Sequence, residues 1–142
     1  MKKIIVLFAM LALFCVVSSC KKEPKAEAKP LNIGEWQLSS ITAKNVAFAG
    51  QTIDVYVAFA EDGGFELYQM IGQGRYRKFT GTWTLNDDTL SGSYASGKPW
   101  GSSYTLSGDT DKITLISTVS GEADVYVRGT IPDSVKNDAY EE

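Results

Sequence analysis

The feature that most constrains this chain is a series of short strand-like segments, each followed by a turn, between Gly34 and Ile131. Eight segments are rich in Thr, Tyr, Val, Ile and aromatic residues, as strands are. Large apolar residues recur at every second position within a segment, which places them on one face of a strand. These positions include Trp36 and Leu38; Ile53, Val55, Val57 and Phe59; Phe65, Leu67 and Ile71; and Phe79, Trp83 and Leu85. The pattern predicts an all-β domain over residues 34–132.

The connections between these segments are mostly short and contain the residues that tight turns need. The stretches EDGG, GQG, NDD, SGDTD and VSGE supply Asn, Asp and Gly, which tolerate positive φ. Short connections join neighbouring antiparallel strands, so the segments form a meander. Because an open meander leaves two unpaired edges and closure removes them, we predict an eight-stranded antiparallel up-and-down β-barrel. A two-sheet β-sandwich is the alternative.

Two acidic clusters lie in the predicted turns, at Asp87-Asp88 and at Asp109 to Asp111. Carboxylates in pairs can bind calcium or act as an acid and a base. Aspartate in a turn, however, commonly accepts hydrogen bonds from nearby backbone N–H groups. We therefore interpret both clusters as turn residues and predict no metal site.

The first nineteen residues have the pattern of a secretory signal peptide. MKK is a basic start, and IIVLFAMLALFCVV is an apolar run that is short for a membrane-spanning helix. Val17-Ser18-Ser19-Cys20 resembles a bacterial lipobox, which implies cleavage before Cys20 and acylation of that cysteine. The alternative is an ordinary signal peptide (residues 1–19) followed by an incidental cysteine.

Both ends of the predicted barrel are flanked by polar segments. Residues 20–33 begin with the cysteine and continue as KKEPKAEAKP, which has too few apolar groups to fold and predicts a flexible tether. Residues 133–142 are polar and acidic, and we expect this C-terminal tail to fray.

The shortage of cysteine and the lack of histidine exclude several classes of function. The chain has two cysteines and no histidine. Cys15 lies in the signal peptide and Cys20 is the acylation site, so the mature domain has no thiol for a disulfide, a zinc site or a nucleophile. The lack of histidine removes the commonest metal ligand and the usual general base. We predict a non-catalytic protein with no metal and no cofactor.

The net charge of the mature chain indicates which kinds of partner it can bind. Loss of Lys2 and Lys3 with the signal peptide leaves 12 basic and 17 acidic residues, a net charge near −5. Neutralising a phosphate backbone needs grouped Lys and Arg residues, and the sequence has no such cluster. Nucleic acid is therefore excluded as a partner.

A Gly-x-Trp sequence opens the first strand as GEW, and Arg128 closes the last strand in VYVR. This resembles the lipocalins, where such a tryptophan packs beneath an arginine of the last strand and closes one end of the barrel. The resemblance implies that Trp36 and Arg128 form this closure, through a cation–π contact. AFAEDGGFELY, FTGTWTL, TLSGSYASGKPWGSSYTLS and VYVRGTIPDSV are similar to lipocalin-like domains of Bacteroidetes lipoproteins.

A barrel of eight strands either fills with side chains or holds one small ligand. Aromatic residues available to surround a ligand include Tyr68, Tyr76, Tyr94, Trp100 and Tyr104. Trp100 follows Lys98-Pro99 in a predicted hairpin tip, where an indole has little local reason to lie. These five are our candidate ligand-binding residues, and the alternative is that they form an ordinary core.

The combined prediction is a lipid-anchored lipocalin-like barrel that binds a small apolar or amphipathic ligand. Acyl chains on Cys20 attach it to a membrane. Lys21 after the cysteine favours the outer membrane, by resemblance to lipoprotein sorting rules, with either the periplasmic face or the cell surface open. The alternative is a filled barrel that binds an envelope protein through its outer surface or loops.

Overall fold

The structure, a computed structural model, describes residues 28–41 and 50–142. The described part contains nine strands and one short helix. They are β1 (Gly34–Ile41), β2 (Ile53–Phe59), β3 (Gly64–Ile71), β4 (Arg77–Asn86), β5 (Thr89–Tyr94), β6 (Tyr104–Gly108), β7 (Lys112–Ser117), β8 (Ala123–Arg128), α1 (Asp133–Asp138) and β9 (Tyr140–Glu141). The predicted signal peptide, the lipobox and Cys20 lie outside the described residues.

Strands β1 to β8 form one closed antiparallel sheet. Each strand pairs with the next along the chain, and β8 pairs back onto β1. Trp36 lies opposite Arg128 across this closing pair. The predicted eight-stranded up-and-down barrel is confirmed, and the β-sandwich alternative is wrong because the sheet has no break.

The two ends of the barrel differ. Within the barrel (β1 to β8), odd-numbered strands begin, and even-numbered strands end, at the end that holds Trp36 and Arg128, which we call the plugged end. The loops at 72–76, 95–103 and 118–122 lie at the opposite end, which we call the mouth. The predicted tip residue Trp100 belongs to the second of these mouth loops.

The pairing between β5 and β6 is the shortest in the barrel. Only Thr89 with Thr105 and Leu90 with Tyr104 are in register, and an isolated bridge follows between Ser93 and Pro99. The four residues 100–103 therefore oppose only residues 91 and 92, which makes a wide bulge in the seam. A bulge redirects the side chains it contains, and this one includes Trp100.

The domain begins before the position that the sequence predicts. Leu31 and Ile33 pack against the barrel core, and Asn32 is fully buried. The indole Nε1 of Trp36 donates a hydrogen bond to the Asn32 carbonyl oxygen over 2.6 Å. These three residues, which we expected to be the end of the tether, belong to the folded domain because they cover the plugged end.

The expected fraying of residues 133–142 is wrong. Helix α1 lies against the outer face of β2 and β3 through Val135, which is 5% exposed and packs with Ile131. Glu35 accepts hydrogen bonds from Lys136 Nζ at 2.8 Å and from the Ile131 backbone N–H at 2.7 Å. Strand β9 then pairs in parallel with the start of β4. The tail is held because it covers an apolar strip on the outside of the barrel.

Both acidic turns have ordinary turn roles in the structure. Asp109 Oδ1 accepts hydrogen bonds from the backbone N–H groups of Asp111 and Lys112, at 2.9 and 3.0 Å. Asp87 has a φ of 55° in the β4–β5 turn, a conformation that Asp tolerates better than most residues. No group of three or more possible metal-ligating acids is found among the residues that the structure describes.

Candidate ligand-binding site

The plugged end is closed by an arginine over an indole. Arg128 Cζ lies 4.1 Å from the centroid of the Trp36 ring, and Trp36 is fully buried. The guanidinium also donates hydrogen bonds to the carbonyl oxygens of Thr110 and, at 3.2 Å, Ile33. The structure thus brings together the two residues that the sequence pairs, and the barrel is sealed at this end.

Gly34 makes this arrangement possible. Its φ is +128°, a conformation that L side chains rarely adopt. A Cβ at this position would overlap the Nη1 atom of Arg128. The first residue of the Gly-x-Trp sequence is therefore a glycine for two reasons, its backbone conformation and the space that the guanidinium needs.

The middle of the barrel is hollow. A cavity of about 110 Å³ lies between the strands. Its wall is mostly apolar and includes six aromatic residues: Phe59, Phe65, Tyr94, Trp100, Tyr104 and Tyr126. Three predicted site residues, Tyr94, Trp100 and Tyr104, thus surround one space.

A wider space of about 360 Å³ occupies the mouth. It adjoins the inner cavity, because both are lined by Leu67, Tyr94, Tyr104, Asp124 and Tyr126. Its outer part is lined by aliphatic side chains that include Leu38, Ile41, Ile53 and Ile71. The cavity therefore opens at the mouth and is closed at the plugged end.

Trp100 reaches the cavity because of the bulge in the β5–β6 seam. Its backbone N–H donates to the Gly92 carbonyl oxygen at 2.9 Å, and its ring lies directly over Gly92, where any Cβ would overlap it. The indole meets Phe65 edge to face, with ring centroids 5.1 Å apart. It also meets Tyr104, at 6.2 Å. Trp100 therefore lines the inner cavity together with Phe65 and Tyr104.

Two predicted site residues do not line the cavity. Tyr68 is 2% exposed and Tyr76 packs beside it, both on the outer face of the barrel under helix α1. Tyr68 donates a hydrogen bond to Glu66, and Tyr76 donates one to Asp54. Placing them in the barrel interior was wrong. The alternation in β3 already sends Tyr68 outward, since Phe65 and Leu67 point inward.

Asp124, the acidic residue inside the inner cavity, is a site residue that the sequence prediction does not include. It lies two positions before Tyr126 on β8, and both line the cavity. Burial raises the pKa of the Asp124 carboxyl, and the neighbouring carboxylate of Glu122 raises it further. Among the described residues Asp124 has neither a hydrogen-bond partner nor an ion-pair partner. The alternation of β8 was the signal that placed it inward.

The tyrosine hydroxyls of the cavity keep their protons at neutral pH. Burial raises the pKa of Tyr94, Tyr104 and Tyr126 above the ordinary value for tyrosine. The carboxylate of Asp124 contributes to the shift for the last two. The cavity therefore presents aromatic faces, neutral hydroxyls and one carboxyl group.

A closed eight-stranded meander, plugged at one end and open at the other, defines the calycin-like class of β-barrels. The family model of the lipocalin-like domain matches residues 33–115, more than half of the chain. The chain belongs to the lipocalin-like domain family, which confirms the resemblance seen in the sequence. The barrel fold of this family suggests a binding function.

Comparison with solved structures gives a crystal structure of a DUF4847 family protein from Bacteroides vulgatus ATCC 8482. The similarity covers 72% of this chain and 96% of that one, with 13% identity and a TM-score of 0.47. The comparison with curated protein sequences found no match. Within the described residues, no helix has the length and apolar character required to cross a membrane.

Proposed function

We propose that this protein is a lipid-anchored envelope protein that binds a small apolar or amphipathic ligand in its barrel and catalyses no reaction. The observation that carries the proposal is the aromatic cavity, continuous with the mouth and closed at the plugged end. Pockets that bind small molecules are concave and mostly apolar, with a few polar groups. This cavity has that composition.

The dimensions favour a small ligand. The inner cavity of about 110 Å³ is smaller than the roughly 150 Å³ that holds one benzene in an engineered apolar cavity. The mouth adds about 360 Å³ of adjoining space, within the range of about 300–1,000 Å³ typical of ligand sites. A ligand with one apolar end in the inner cavity and a larger remainder in the mouth fits this shape.

The anchor and the location form the second half of the proposal. The lipobox-like VVSSC supports acylation of Cys20, and attachment by several acyl chains is stable whereas one chain is marginal. Lys21 supports delivery to the outer membrane, where the protein faces either the periplasm or the exterior.

A second candidate is a protein-interaction role in which side chains fill the barrel and no small ligand enters it. It is favoured by the small inner volume and by exposed apolar residues near the mouth, chiefly Val119, which is 77% exposed, and Ile116 at 38%. A partner that covers this patch would bind without entering the barrel.

Native mass spectrometry of the full chain, purified from its own host's envelope, tests the first candidate. We expect a co-purifying small molecule that is lost in Trp100→Ala and in Tyr104→Ala. The matched control is Tyr140→Ala, an aromatic truncation on the outer strand β9, which should retain the molecule. A ligand-free mass for the unmodified chain, unchanged by added lipids, contradicts ligand binding and favours the second candidate.

A further inference from the structure

The carboxylate of Asp124 is the group in the cavity whose burial costs the most free energy. It is half-buried between aromatic rings in a mainly apolar space. It has no hydrogen-bond or ion-pair partner among the described residues. Removing a charge from water is costly unless a partner compensates it. The described residues therefore do not give this carboxylate the compensation that a buried charge normally has.

The part of the cavity wall that the structure describes supplies no positive charge to Asp124. Among the described residues that line the inner cavity and the mouth, the charged side chains are Asp124 and Glu122, and both are acidic. Arg128 is on the same strand but is held at the plugged end by Trp36 and by backbone carbonyl oxygens. Within the described wall, the place beside Asp124 that suits a positive charge is therefore left to a ligand.

The aromatic rings beside Asp124 also favour a positively charged ligand group. Tyr94, Trp100, Tyr104 and Tyr126 line the inner cavity together with Asp124. Aromatic faces attract ammonium groups, with indole the strongest, and aromatic enclosures recognise organic ammonium ions. The carboxylate of Asp124 and the aromatic rings therefore both favour an organic ammonium group in the inner cavity.

We propose that the barrel selects organic ammonium ligands, with the ammonium group at Asp124 and the apolar part among the aromatic rings of the cavity. This inference rests on the proposed binding function and names the class of ligand. An amine would donate hydrogen bonds to the carboxylate, and charge-assisted hydrogen bonds are the stronger kind. An anionic ligand would be repelled by Asp124, and a neutral ligand would leave the carboxylate uncompensated.

Three small phenyl-bearing probes of similar size and different charge test the proposal. They are 2-phenylethylammonium, neutral 2-phenylethanol and anionic phenylacetate, each titrated calorimetrically into the full chain in lipid nanodiscs, with empty nanodiscs subtracted. We expect the ammonium ion to bind at least about tenfold more tightly than the alcohol, because a hydrogen bond to a charged group contributes about 1.5–3 kcal/mol. The carboxylate probe should bind weakest.

Two variants assign the preference to one residue. Asp124→Asn keeps the shape of the side chain and should reduce the affinity for the ammonium ion to that for the alcohol, with the alcohol itself little changed. Glu61→Gln removes the same charge from an exposed residue in the β2–β3 turn at the plugged end. This control should leave all three affinities unchanged, which excludes a general effect of net charge.

The outcomes separate the two proposals. Equal binding of the ammonium ion and the alcohol, or an ammonium preference that survives in Asp124→Asn, overturns the ammonium inference while the binding function stands. If none of the three probes binds, the apolar cavity does not accept ligands of this size, and both proposals fail.

Discussion

Replacing Gly34 with alanine tests the closure of the plugged end. Gly34 has a φ of +128°, and an added Cβ would overlap the guanidinium of Arg128. Alanine therefore has to strain the backbone and also displace Arg128 from Trp36. The two costs are separable, because only the second depends on the arginine.

The expected magnitude follows from these two contributions. A non-glycine residue in a sparsely populated backbone region costs about 1–3 kcal/mol, and loss of a cation–π contact costs about 0.5–2 kcal/mol. Gly34→Ala should therefore lower the free energy of unfolding by roughly 1.5–5 kcal/mol. When Arg128 has already been changed to Ala, only the backbone cost remains.

A double-mutant cycle measures the difference. The unfolding free energies of the unchanged chain, Gly34→Ala, Arg128→Ala and the double variant are obtained from urea denaturation. We expect the double variant to be less destabilised than the sum of the single variants, by about 0.5–2 kcal/mol. Gly72→Ala is the control, since Gly72 also has a positive φ, of 77°, but no atom near its missing Cβ. This control should show no coupling to Arg128.

Additive losses in the cycle would refute the argument, because they would mean that Gly34 and Arg128 act independently. A Gly34→Ala variant as stable as the unchanged chain would also refute it. In that case neither the backbone conformation nor the approach of the guanidinium would restrict this position.

Three further predictions concern the helix, the plugged end and the cavity. Val135→Ala should destabilise the domain by about 1–2 kcal/mol, because it removes buried methyl groups. Amide hydrogen exchange should become faster in α1, and unchanged exchange would show that this contact does not hold the helix. Asn32→Leu should leave the thermal unfolding temperature unchanged or raise it, since both side-chain polar atoms of Asn32 are buried without a partner among the described residues. A large fall in the unfolding temperature would contradict this and would mean that the side chain has a hydrogen-bond partner. Asp124→Asn should stabilise the free protein, and the gain should increase as the pH rises through the raised pKa of Asp124. The reason is that the ionised carboxylate has a lower free energy in the unfolded chain than in the folded cavity. Urea denaturation from acidic to neutral pH measures this gain, and a gain that shrinks with rising pH would contradict it.

Much of the fold is predictable from local sequence. The two-residue alternation identifies the strands, and the Gly, Asn and Asp turns make them antiparallel neighbours. Closure depends on the pairing of β1 with β8, the two barrel strands most distant along the chain. No local signal specifies that pairing, and the Gly-x-Trp and arginine pattern supports it only through the family resemblance.

The errors have physical explanations. Ile131, Val135 and Ala139 pack in one cluster on the outside of the barrel, but Val135 alone of the three lies within α1. Three apolar residues among acidic and polar ones are too weak a pattern to predict a packed tail. Tyr68 was assigned by residue type although alternation places it outside the barrel. Asp124 was overlooked for the opposite reason, since an acidic residue is rarely expected to face inward.

The route by which the chain enters the barrel has a consequence for ligand traffic. Leu31 and Ile33 lead into β1 at the plugged end, so the segment that connects the domain to Cys20 leaves from the pole opposite the mouth. If Cys20 is acylated as proposed, the attachment pole and the loading pole are different ends of the molecule. Ligand would then exchange at a mouth that the anchor does not cover, and the predicted flexible tether would let that mouth meet the aqueous compartment, a second protein or the bilayer.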